Sequence, residues 1–267
     1  MKVDADKIYT MPLIIGPLYD REDRPRYVYK EVEILMLQYR TDPEACRNLI
    51  PDCFSVGEEA IVTITFGDYD GVGFMAGGGY RTATFGVSAR FDGQEENVEG
   101  QYIFVMCEDK TLPIIAGREQ LGVPKVFADI SPIRTLPDGI LRSDASLWGH
   151  LLFGIELKPV KKQNAIVRAA AARRANKYPW LGYKYIPSFD GPPDADYPTV
   201  VWIDFEIERL WLGKEGTVNF GSARENDISY GARLVDALKT MPVLEVTSAA
   251  RMRGSSILRN DKSRRLR

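Results

Sequence analysis

The sequence predicts one α+β domain in which antiparallel strands predominate. Several segments alternate apolar and polar residues with the period of a half-buried strand, and short stretches rich in glycine, proline and aspartate separate them. Helical patterns are fewer, and no internal repeat, low-complexity linker or shift in composition marks a boundary within the 267 residues. We therefore expect a single domain over residues 1–267, with an N-terminal arm of about residues 1–26 and a basic C-terminal tail of about residues 251–267.

The first part of the chain predicts an extended arm, a strand and a short helix. Residues 11–26 are rich in proline and charge, which favours an extended segment lying over a surface, such as that of a neighbouring subunit. Residues 31–39 have the composition of a strand. Asp42 follows as a helix N-cap with Pro43 at the first helical position, and this helix should end at about Ile50, before the next proline.

The next segments predict a run of antiparallel strands. Residues 60–66 alternate so that four apolar side chains share one face: Ala60, Val62, Ile64 and Phe66. Residues 68–79 contain the looser G-x-G-x-x-A spacing of nucleotide-binding turns, but no strand-then-helix unit surrounds it, so a tight glycine-rich hairpin is favoured. Residues 80–91 and 101–107 predict two further strands, joined by a polar loop over residues 92–100.

The second half of the chain contains one clear strand pattern and one clear helix pattern. Residues 200–212 alternate so that three carboxylates face water: Asp204, Glu206 and Glu208. Residues 227–238 suit a helix that ends before a proline. Residues 143–158 and 164–172 are apolar enough for further elements, and their patterns fit either strands or helices.

Composition and charge exclude several classes of function. Lys plus Arg (35) nearly balances Asp plus Glu (37), and the net charge of -2 provides no basic field for nucleic acid or a membrane surface. We interpret the basic segment 251–267 as a solvated or partly ordered terminus, with an anion or partner contact as the alternative. No apolar run reaches about 18 residues, and the N-terminus lacks the apolar region of a signal peptide, so we expect a cytoplasmic protein.

The cysteines and the histidine predict no metal site and no cofactor. Cys46, Cys53 and Cys107 match neither a disulfide framework nor a metal-binding spacing, and we interpret them as reduced, mostly buried thiols. His150, the one histidine, lies in an apolar run that is typical of a core or edge position, and a cluster of histidines that could hold a metal is absent from the sequence.

One lysine stands in apolar, turn-rich sequence. Residues 117–128 place Lys125 directly after Pro124 and among apolar neighbours. An amine acts as a nucleophile only after it loses its proton, and burial among apolar side chains can lower the pKa of a lysine by about 3 to 5. Lys125 is therefore a candidate nucleophile, and an exposed lysine in a Val-Pro-Lys turn is the alternative.

Five short phrases are spread in order over nearly the whole chain. They are Met11-Pro12-Leu13, Tyr39-Arg40-Thr41-Asp42, Gly117-Arg118-Glu119 shortly before Pro124-Lys125, Ile186-Pro187-Ser188-Phe189-Asp190-Gly191, and Met241-Pro242-Val243-Leu244-Glu245-Val246. In type and order they resemble the landmarks of the acetoacetate decarboxylase family. The resemblance implies a mainly antiparallel, cone-like β-barrel with flanking helices, a homo-oligomer (tetramer or larger) and a Schiff-base role for Lys125.

Val126 departs from the family pattern, in which a second lysine follows the reactive one. A like charge about 4 Å away is worth about 4 kcal/mol at an effective dielectric constant of about 20, and desolvation alone can supply a similar effect. The departure weakens the specific case for decarboxylation and leaves an active Lys125 possible. Two family glutamates also lack counterparts, because Gly77 stands at one position and residues 60–66 contain no carboxylate.

The resemblance implies further site residues around Lys125. Some members of the wider superfamily use the lysine on pyruvate-like 2-oxo acids, adding an aldehyde and eliminating water, which requires a proton shuttle. Tyr80 and Glu119 are candidates for this catalytic role, and Arg118 is a candidate for binding a substrate carboxylate. The structural alternatives are a buried, hydrogen-bonded tyrosine and an Arg-Glu ion pair. Weaker candidates for substrate binding are Gln120, Phe127 and Glu245.

Three functions remain open at this point. The favoured one is a lysine Schiff-base lyase acting on a small oxo acid, which condenses pyruvate with an aldehyde and eliminates water. The second is an acetoacetate-type 3-oxo acid decarboxylase. The third is a non-catalytic barrel or scaffold that binds a small carboxylate, with Phe54, Phe74 and Phe127 lining its pocket.

Overall fold

The computed structural model describes residues 3–158 and 161–267. The strands are β1 (Lys7–Ile8), β2 (Tyr19–Asp20), β3 (Arg26–Thr41), β4 (Phe54–Ser55), β5 (Ala60–Val72), β6 (Tyr80–Asp92), β7 (Asn97–Glu108), β8 (Lys125–Phe127), β9 (Asp129–Ile130), β10 (Arg134–Thr135), β11 (Leu141–Leu147), β12 (His150–Leu157), β13 (Lys161–Lys162), β14 (Trp180–Ile186), β15 (Ala195–Val201), β16 (Ile203–Gly213), β17 (Gly216–Phe220), β18 (Glu245–Arg259) and β19 (Arg264–Arg265). The α-helices are α1 (Pro43–Arg47), α2 (Thr111–Ala116), α3 (Ala165–Lys177), α4 (Glu225–Ile228) and α5 (Gly231–Lys239).

The strands form one large sheet, one smaller sheet and a two-stranded ribbon of β1 and β2. The large sheet has the order β13-β16-β18-β3-β5-β6-β7-β14-β15-β19, with β4 added to β6 and β8 added to β7. The smaller sheet has the order β10-β11-β12-β17, with β9 added to β11. All pairs are antiparallel except those that β7 makes with β8 and β14. The predicted α+β class with mainly antiparallel strands is confirmed, and its cone-like closure stays a prediction.

The main core lies between the large sheet and the smaller one. The apolar face predicted for residues 60–66 is fully buried in β5, and Phe66 meets Phe153 of β12 with ring centroids 5.7 Å apart. Helix α5 closes the same core with Val235 and Leu238. Each fully buried aliphatic or aromatic side chain contributes about 1.5 to 3 kcal/mol, so this layer dominates the stability of the domain.

Two predicted elements are divided in the structure. The strand predicted over residues 200–212 is interrupted at Trp202, because its backbone N–H donates to the Ser263 hydroxyl, 3.1 Å away, instead of to a neighbouring strand. The helix predicted over residues 227–238 becomes α4 and α5, because Ser229 has a φ of 53° and cannot continue a right-handed helix. Helix α1 also ends at Arg47, earlier than the predicted Ile50.

The basic C-terminal segment was predicted as a solvated or partly ordered terminus, and this prediction is wrong for residues 251–259. They belong to β18, which is hydrogen-bonded to β16 on one side and to β3 on the other. Carboxylates of those neighbours neutralise the basic side chains: Arg251 and Arg253 lie 2.6 and 2.8 Å from Glu33, and Arg259 lies 2.6 Å from Asp204. The segment is a structural strand whose charges are paired.

The structure assigns the two segments whose sequence patterns fit either strands or helices. Residues 143–158 contain most of the β11-β12 hairpin, and residues 164–172 contain most of helix α3. His150 is exposed beside the turn of that hairpin, where Trp148 and Gly149 both have positive φ angles, so a core position for the histidine is wrong. Within the described ranges, the helices are too short or too polar to cross a membrane.

The predicted N-cap of α1 is confirmed, because the Asp42 side chain accepts a 2.9 Å hydrogen bond from the backbone N–H of Glu44. We expect Asp42→Ala to lower the free energy of unfolding by about 1 kcal/mol, since the cap satisfies an N–H that the helix leaves unpaired. Urea unfolding measures the change. Asp52→Ala, at an exposed position beyond the same helix, is the control and should leave the midpoint unchanged.

Candidate active site

Lys125 begins β8, a short strand that runs parallel to β7 and pairs opposite Met106. Successive side chains of a strand point to opposite faces. Lys125 is accordingly buried in a cavity, 8% exposed, while Val126 packs against the main core. The residue at position 126 is therefore directed away from the Lys125 amine, and the exposed alternative for Lys125 is wrong.

The segment before β8 fits closely around the lysine. Residues Gly117–Leu121 form one π-helical turn directly after α2, a feature that often marks functional sites. A Cβ atom on Gly117 would lie 2.4 Å from both Cδ and Cε of Lys125 and 2.8 Å from its Nζ. The lysine stem therefore occupies the space that a side chain at position 117 would need. Gly122 ends the turn with a φ of 71°, which favours glycine.

Glu108, the last residue of β7, provides the charge beside the amine. Its Oε1 lies 2.7 Å from Lys125 Nζ, and the glutamate is completely buried. The contact between the two groups is an ion pair, because neither carboxylate oxygen of Glu108 accepts a well-directed hydrogen bond from the described residues. Nζ donates instead to the Pro113 carbonyl, 3.1 Å away. Burial raises the pKa of Glu108, and the Lys125 ammonium lowers it only in part, so its pKa is raised overall.

A cavity of about 30 Å³ surrounds the Lys125 amine. One wall carries hydroxyl groups, from Tyr29, Tyr69, Tyr80 and Thr82. Another part of the lining is apolar and includes Leu121, Val123, Trp180, Val201 and Leu258, which belong to one cluster. Lys125 and Glu108 therefore lie in an enclosed space with two different walls.

The tyrosines of this cavity are neutral hydrogen-bonding groups at physiological pH. Burial raises the pKa of Tyr69 to about 12, and it raises the pKa values of Tyr29 and Tyr80 as well. The Glu108 carboxylate contributes to each increase, because a nearby negative charge disfavours a phenolate. Tyr69 and Tyr80 also line a wide polar groove of about 840 Å³, so the cavity lies next to a large surface depression.

The chain matches known proteins along nearly its whole length. A sequence profile of the acetoacetate decarboxylase (ADC) family matches residues 10–263. The chain belongs to this family. Acetoacetate decarboxylase 1 of Bradyrhizobium diazoefficiens is 33% identical over 244 residues, a match that covers 90% of this chain and 86% of that protein. Decarboxylase DEC1 of Cochliobolus heterostrophus is 28% identical, with 92% and 89% covered.

Solved structures share the fold. The enduracididine biosynthesis enzyme MppR in complex with pyruvate superposes with a TM-score of 0.73 at 18% identity, covering 98% of this chain and 99% of that one. MppR in complex with the condensation product of pyruvate and imidazole 4-carboxaldehyde superposes with a TM-score of 0.71, also at 18% identity, covering 98% and 97%. At this identity the likeness concerns the fold of the family.

The predicted site residues near Lys125 divide into two groups. Tyr80 lines the same cavity as the lysine. Arg118 does not line the cavity. Its guanidinium donates a 3.0 Å hydrogen bond to the backbone carbonyl of Lys125, so it holds the backbone of the lysine and does not face the substrate space. Glu119 accepts from the Thr10 hydroxyl and the Met11 N–H of the N-terminal arm, which places its carboxylate outside the cavity.

The weaker candidates lie outside the cavity. Gln120 accepts a 2.6 Å hydrogen bond from the Tyr19 hydroxyl, so it anchors the arm to its own chain. Phe127 is 43% exposed, since the alternation of β8 carries it away from the core. Glu245 is exposed and pairs with Arg40 at 2.6 Å. These three predictions of substrate contact find no support in the geometry.

The phenylalanine-lined pocket of the scaffold hypothesis is likewise absent from the described structure. Phe54 packs in the main core against Phe91 and Tyr102, and Phe74 packs beside Tyr29 outside the Lys125 cavity. In the parts of the chain that the structure describes, His, Cys, Asp and Glu side chains form no group of three that could hold a metal ion.

Glu108 and Tyr29 are among the cavity residues that the sequence analysis did not identify. Glu108 directly follows the strand predicted over residues 101–107, and a carboxylate at the end of a buried strand was an available signal. Tyr29 precedes the strand predicted over residues 31–39 and becomes part of it in β3. The cavity therefore does contain a carboxylate, but it lies on β7 and not in residues 60–66 or at position 77, where the family glutamates were expected.

Proposed function

We propose that this protein is a lysine Schiff-base lyase that condenses pyruvate with an aldehyde and eliminates water. The observation that carries the proposal is the buried pair of the Lys125 amine and the Glu108 carboxyl group, 2.7 Å apart. The amine supplies the nucleophile, and a carboxyl group whose pKa is raised by burial is a stronger base than an ordinary carboxylate and can return the proton that it accepts.

The reaction uses each group in a defined order. Lys125 first gives a proton to Glu108, and its neutral amine attacks the C2 carbonyl of pyruvate. Glu108 returns that proton to the hydroxyl of the adduct, which leaves as water and gives a protonated imine. Glu108 removes a proton from the C3 methyl group, which gives an enamine, and C3 of the enamine then bonds to the aldehyde carbon while the aldehyde oxygen takes up a proton. Glu108, after giving its proton to the aldehyde oxygen, removes a second proton from C3 and transfers it to the new hydroxyl, which leaves as water. Hydrolysis of the imine then frees Lys125 and an unsaturated 2-oxo acid.

The comparisons support this chemistry by analogy. MppR, which has the same fold, is described in complex with pyruvate and with a pyruvate-aldehyde condensation product. The relatives named acetoacetate decarboxylase favour a second candidate, in which the imine of a 3-oxo acid loses carbon dioxide. We rank condensation first because the charge beside Nζ is a carboxylate suited to proton transfer. A homo-oligomer of four or more subunits, a cytoplasmic location and cone-like closure of the large sheet complete the proposal.

Borohydride trapping tests the covalent step. With sodium borohydride and pyruvate, we expect a stable adduct whose mass is found on the peptide that contains Lys125. Lys125→Met should abolish trapping, and Lys110→Met, which alters a lysine of the neighbouring groove, should leave it intact. If neither pyruvate nor acetoacetate labels Lys125, the covalent mechanism is wrong and the carboxylate-binding scaffold gains support.

Product analysis separates the two enzymatic candidates. Imidazole 4-carboxaldehyde is the aldehyde whose condensation product with pyruvate is bound in the MppR complex. With pyruvate it should give a conjugated product that absorbs ultraviolet light. Acetoacetate alone should release carbon dioxide more slowly than the condensation proceeds. Rapid carbon dioxide release without any conjugated product would reverse the ranking.

A further inference from the structure

Two tyrosine hydroxyl groups meet in the wall of the Lys125 cavity. Tyr29 comes from β3 and Tyr80 from β6, and their hydroxyl oxygens are 3.2 Å apart. Both residues are buried, with 7% and 6% of their surfaces exposed, and both line the cavity that contains Lys125 and Glu108. Tyr29 therefore lines the same cavity as Tyr80, although no sequence motif identifies it.

A count of donors shows that this pair is incomplete. Each phenol has one O–H donor, and a single hydrogen bond between the two uses only one of them. Among residues 3–158 and 161–267, the two hydroxyls hydrogen-bond only to each other. One donor is therefore available to a ligand in the cavity, and leaving it unsatisfied would cost about 1 to 3 kcal/mol.

The charges of the cavity indicate which ligand group this donor receives. Lys125 is the one cationic side chain among the described lining residues, and in the protonated imine its nitrogen keeps a single N–H, beside the Glu108 carboxylate. Arg118, the residue expected to bind a substrate carboxylate, instead contacts the Lys125 backbone. The further hydrogen-bond donors for a substrate carboxylate must then come from uncharged side chains, and the hydroxyl wall supplies them.

We propose that Tyr29 and Tyr80 together form the subsite that binds the carboxylate of the oxo acid. This inference rests on the proposed function, in which Lys125 holds the same substrate through its carbonyl carbon. Tyr29 donates to the carboxylate and Tyr80 either donates to it or orients Tyr29. Hydrogen bonds to an ionised carboxylate stabilise it, so this subsite favours a reaction that retains the carboxylate over one that expels it.

Calorimetric titration, without borohydride, tests the subsite. Wild type, Tyr29→Phe and Tyr80→Phe are titrated with pyruvate and with methyl pyruvate, which lacks the anionic carboxylate. We expect Tyr29→Phe to weaken pyruvate binding by about 10-fold or more, the equivalent of a hydrogen bond to a charged group. The affinities of wild type and Tyr29→Phe for methyl pyruvate should agree within about twofold. Tyr27→Phe, a nearby half-buried tyrosine outside the cavity lining, is the matched control and should bind pyruvate like wild type.

The possible outcomes separate this inference from the proposed function. Equal weakening of pyruvate and methyl pyruvate, or no weakening of either, would overturn the carboxylate subsite, and so would a wild type that binds no pyruvate. Pyruvate binding that depends on Tyr29 without any borohydride adduct at Lys125 would support the subsite and reject the Schiff-base mechanism. Circular dichroism and urea midpoints confirm that each Phe variant is folded.

Discussion

Lys125→Met is expected to abolish turnover and to lower the free energy of unfolding at pH 8 by about 3 kcal/mol. The variant removes one partner of a completely buried ion pair and leaves the Glu108 carboxylate in an apolar environment. Breaking a buried pair in this way typically costs about 3 to 5 kcal/mol, because the remaining charge keeps its desolvation penalty and loses its partner. The activity and the stability of this protein therefore depend on the same contact.

The pH dependence of this loss has a definite sign. Burial raises the pKa of Glu108 above its ordinary value of 4.5, so the folded state binds this proton more tightly than the unfolded state. The stability contributed by Glu108 is therefore fully present below the unfolded pKa and is lost as the pH rises through the raised folded pKa. Without the Lys125 ammonium, which lowers the pKa of Glu108, the loss should extend over a wider pH range. Lys125→Met should consequently be closest to wild type at about pH 5 and furthest from it at pH 8.

A double-mutant cycle measures the effect. Urea unfolding of wild type, Lys125→Met, Glu108→Leu and the double variant at several pH values gives the coupling energy of the pair. The double variant should recover most of the lost stability, because replacing both partners removes the buried charge. Lys158→Met breaks an exposed ion pair with Glu215 and is the control, with no expected change in midpoint. A double variant as unstable as Lys125→Met would show that packing at position 125, and not the unpaired carboxylate, determines the loss.

Local sequence patterns were sufficient for the long strands β3, β5, β6 and β7. The alternation of residues 60–66 reports which face is buried, since one-sided burial imposes a period of two on any strand. The interruption at Trp202 depends on Ser263, a residue more than sixty positions away, and no local pattern contains it. The basic residues of β18 are similar, because their carboxylate partners, such as Glu33, come from distant strands.

The residues of the candidate site show the same difference between local patterns and long-range contacts. Lys125 was identified because a short motif surrounds it, whereas Glu108 and Tyr29 become cavity residues only through strand pairing. β8 pairs in parallel with β7, and this register brings the end of β7 to the lysine. Proximity in sequence was misleading for Glu119, because the π-helical turn directs its carboxylate to the N-terminal arm.

Gly117→Ala should reduce turnover by about 100-fold or more while the protein remains folded. The new Cβ would lie 2.4 Å from Cδ and Cε of Lys125, which is well inside van der Waals contact, so the lysine stem must move. Gly117 has a φ of -67°, and alanine adopts this helical conformation without strain. The clash therefore falls on the one flexible group nearby, the reactive side chain, and a displacement of about 1 Å can cost about 100-fold in rate.

Trapping and unfolding together distinguish this mechanism from simple destabilisation. We expect Gly117→Ala to retain a urea midpoint near that of wild type and to form the borohydride adduct with pyruvate much more slowly. Gly57→Ala is the matched control, because a Cβ at position 57 meets no atom within 4 Å, and both of its measurements should equal those of wild type. If Gly117→Ala traps pyruvate at the wild-type rate, the lysine reaches its reactive position by another path and the close fit at Gly117 is not required for catalysis. If the variant loses turnover only in proportion to a lower midpoint, the glycine serves the fold and not the amine.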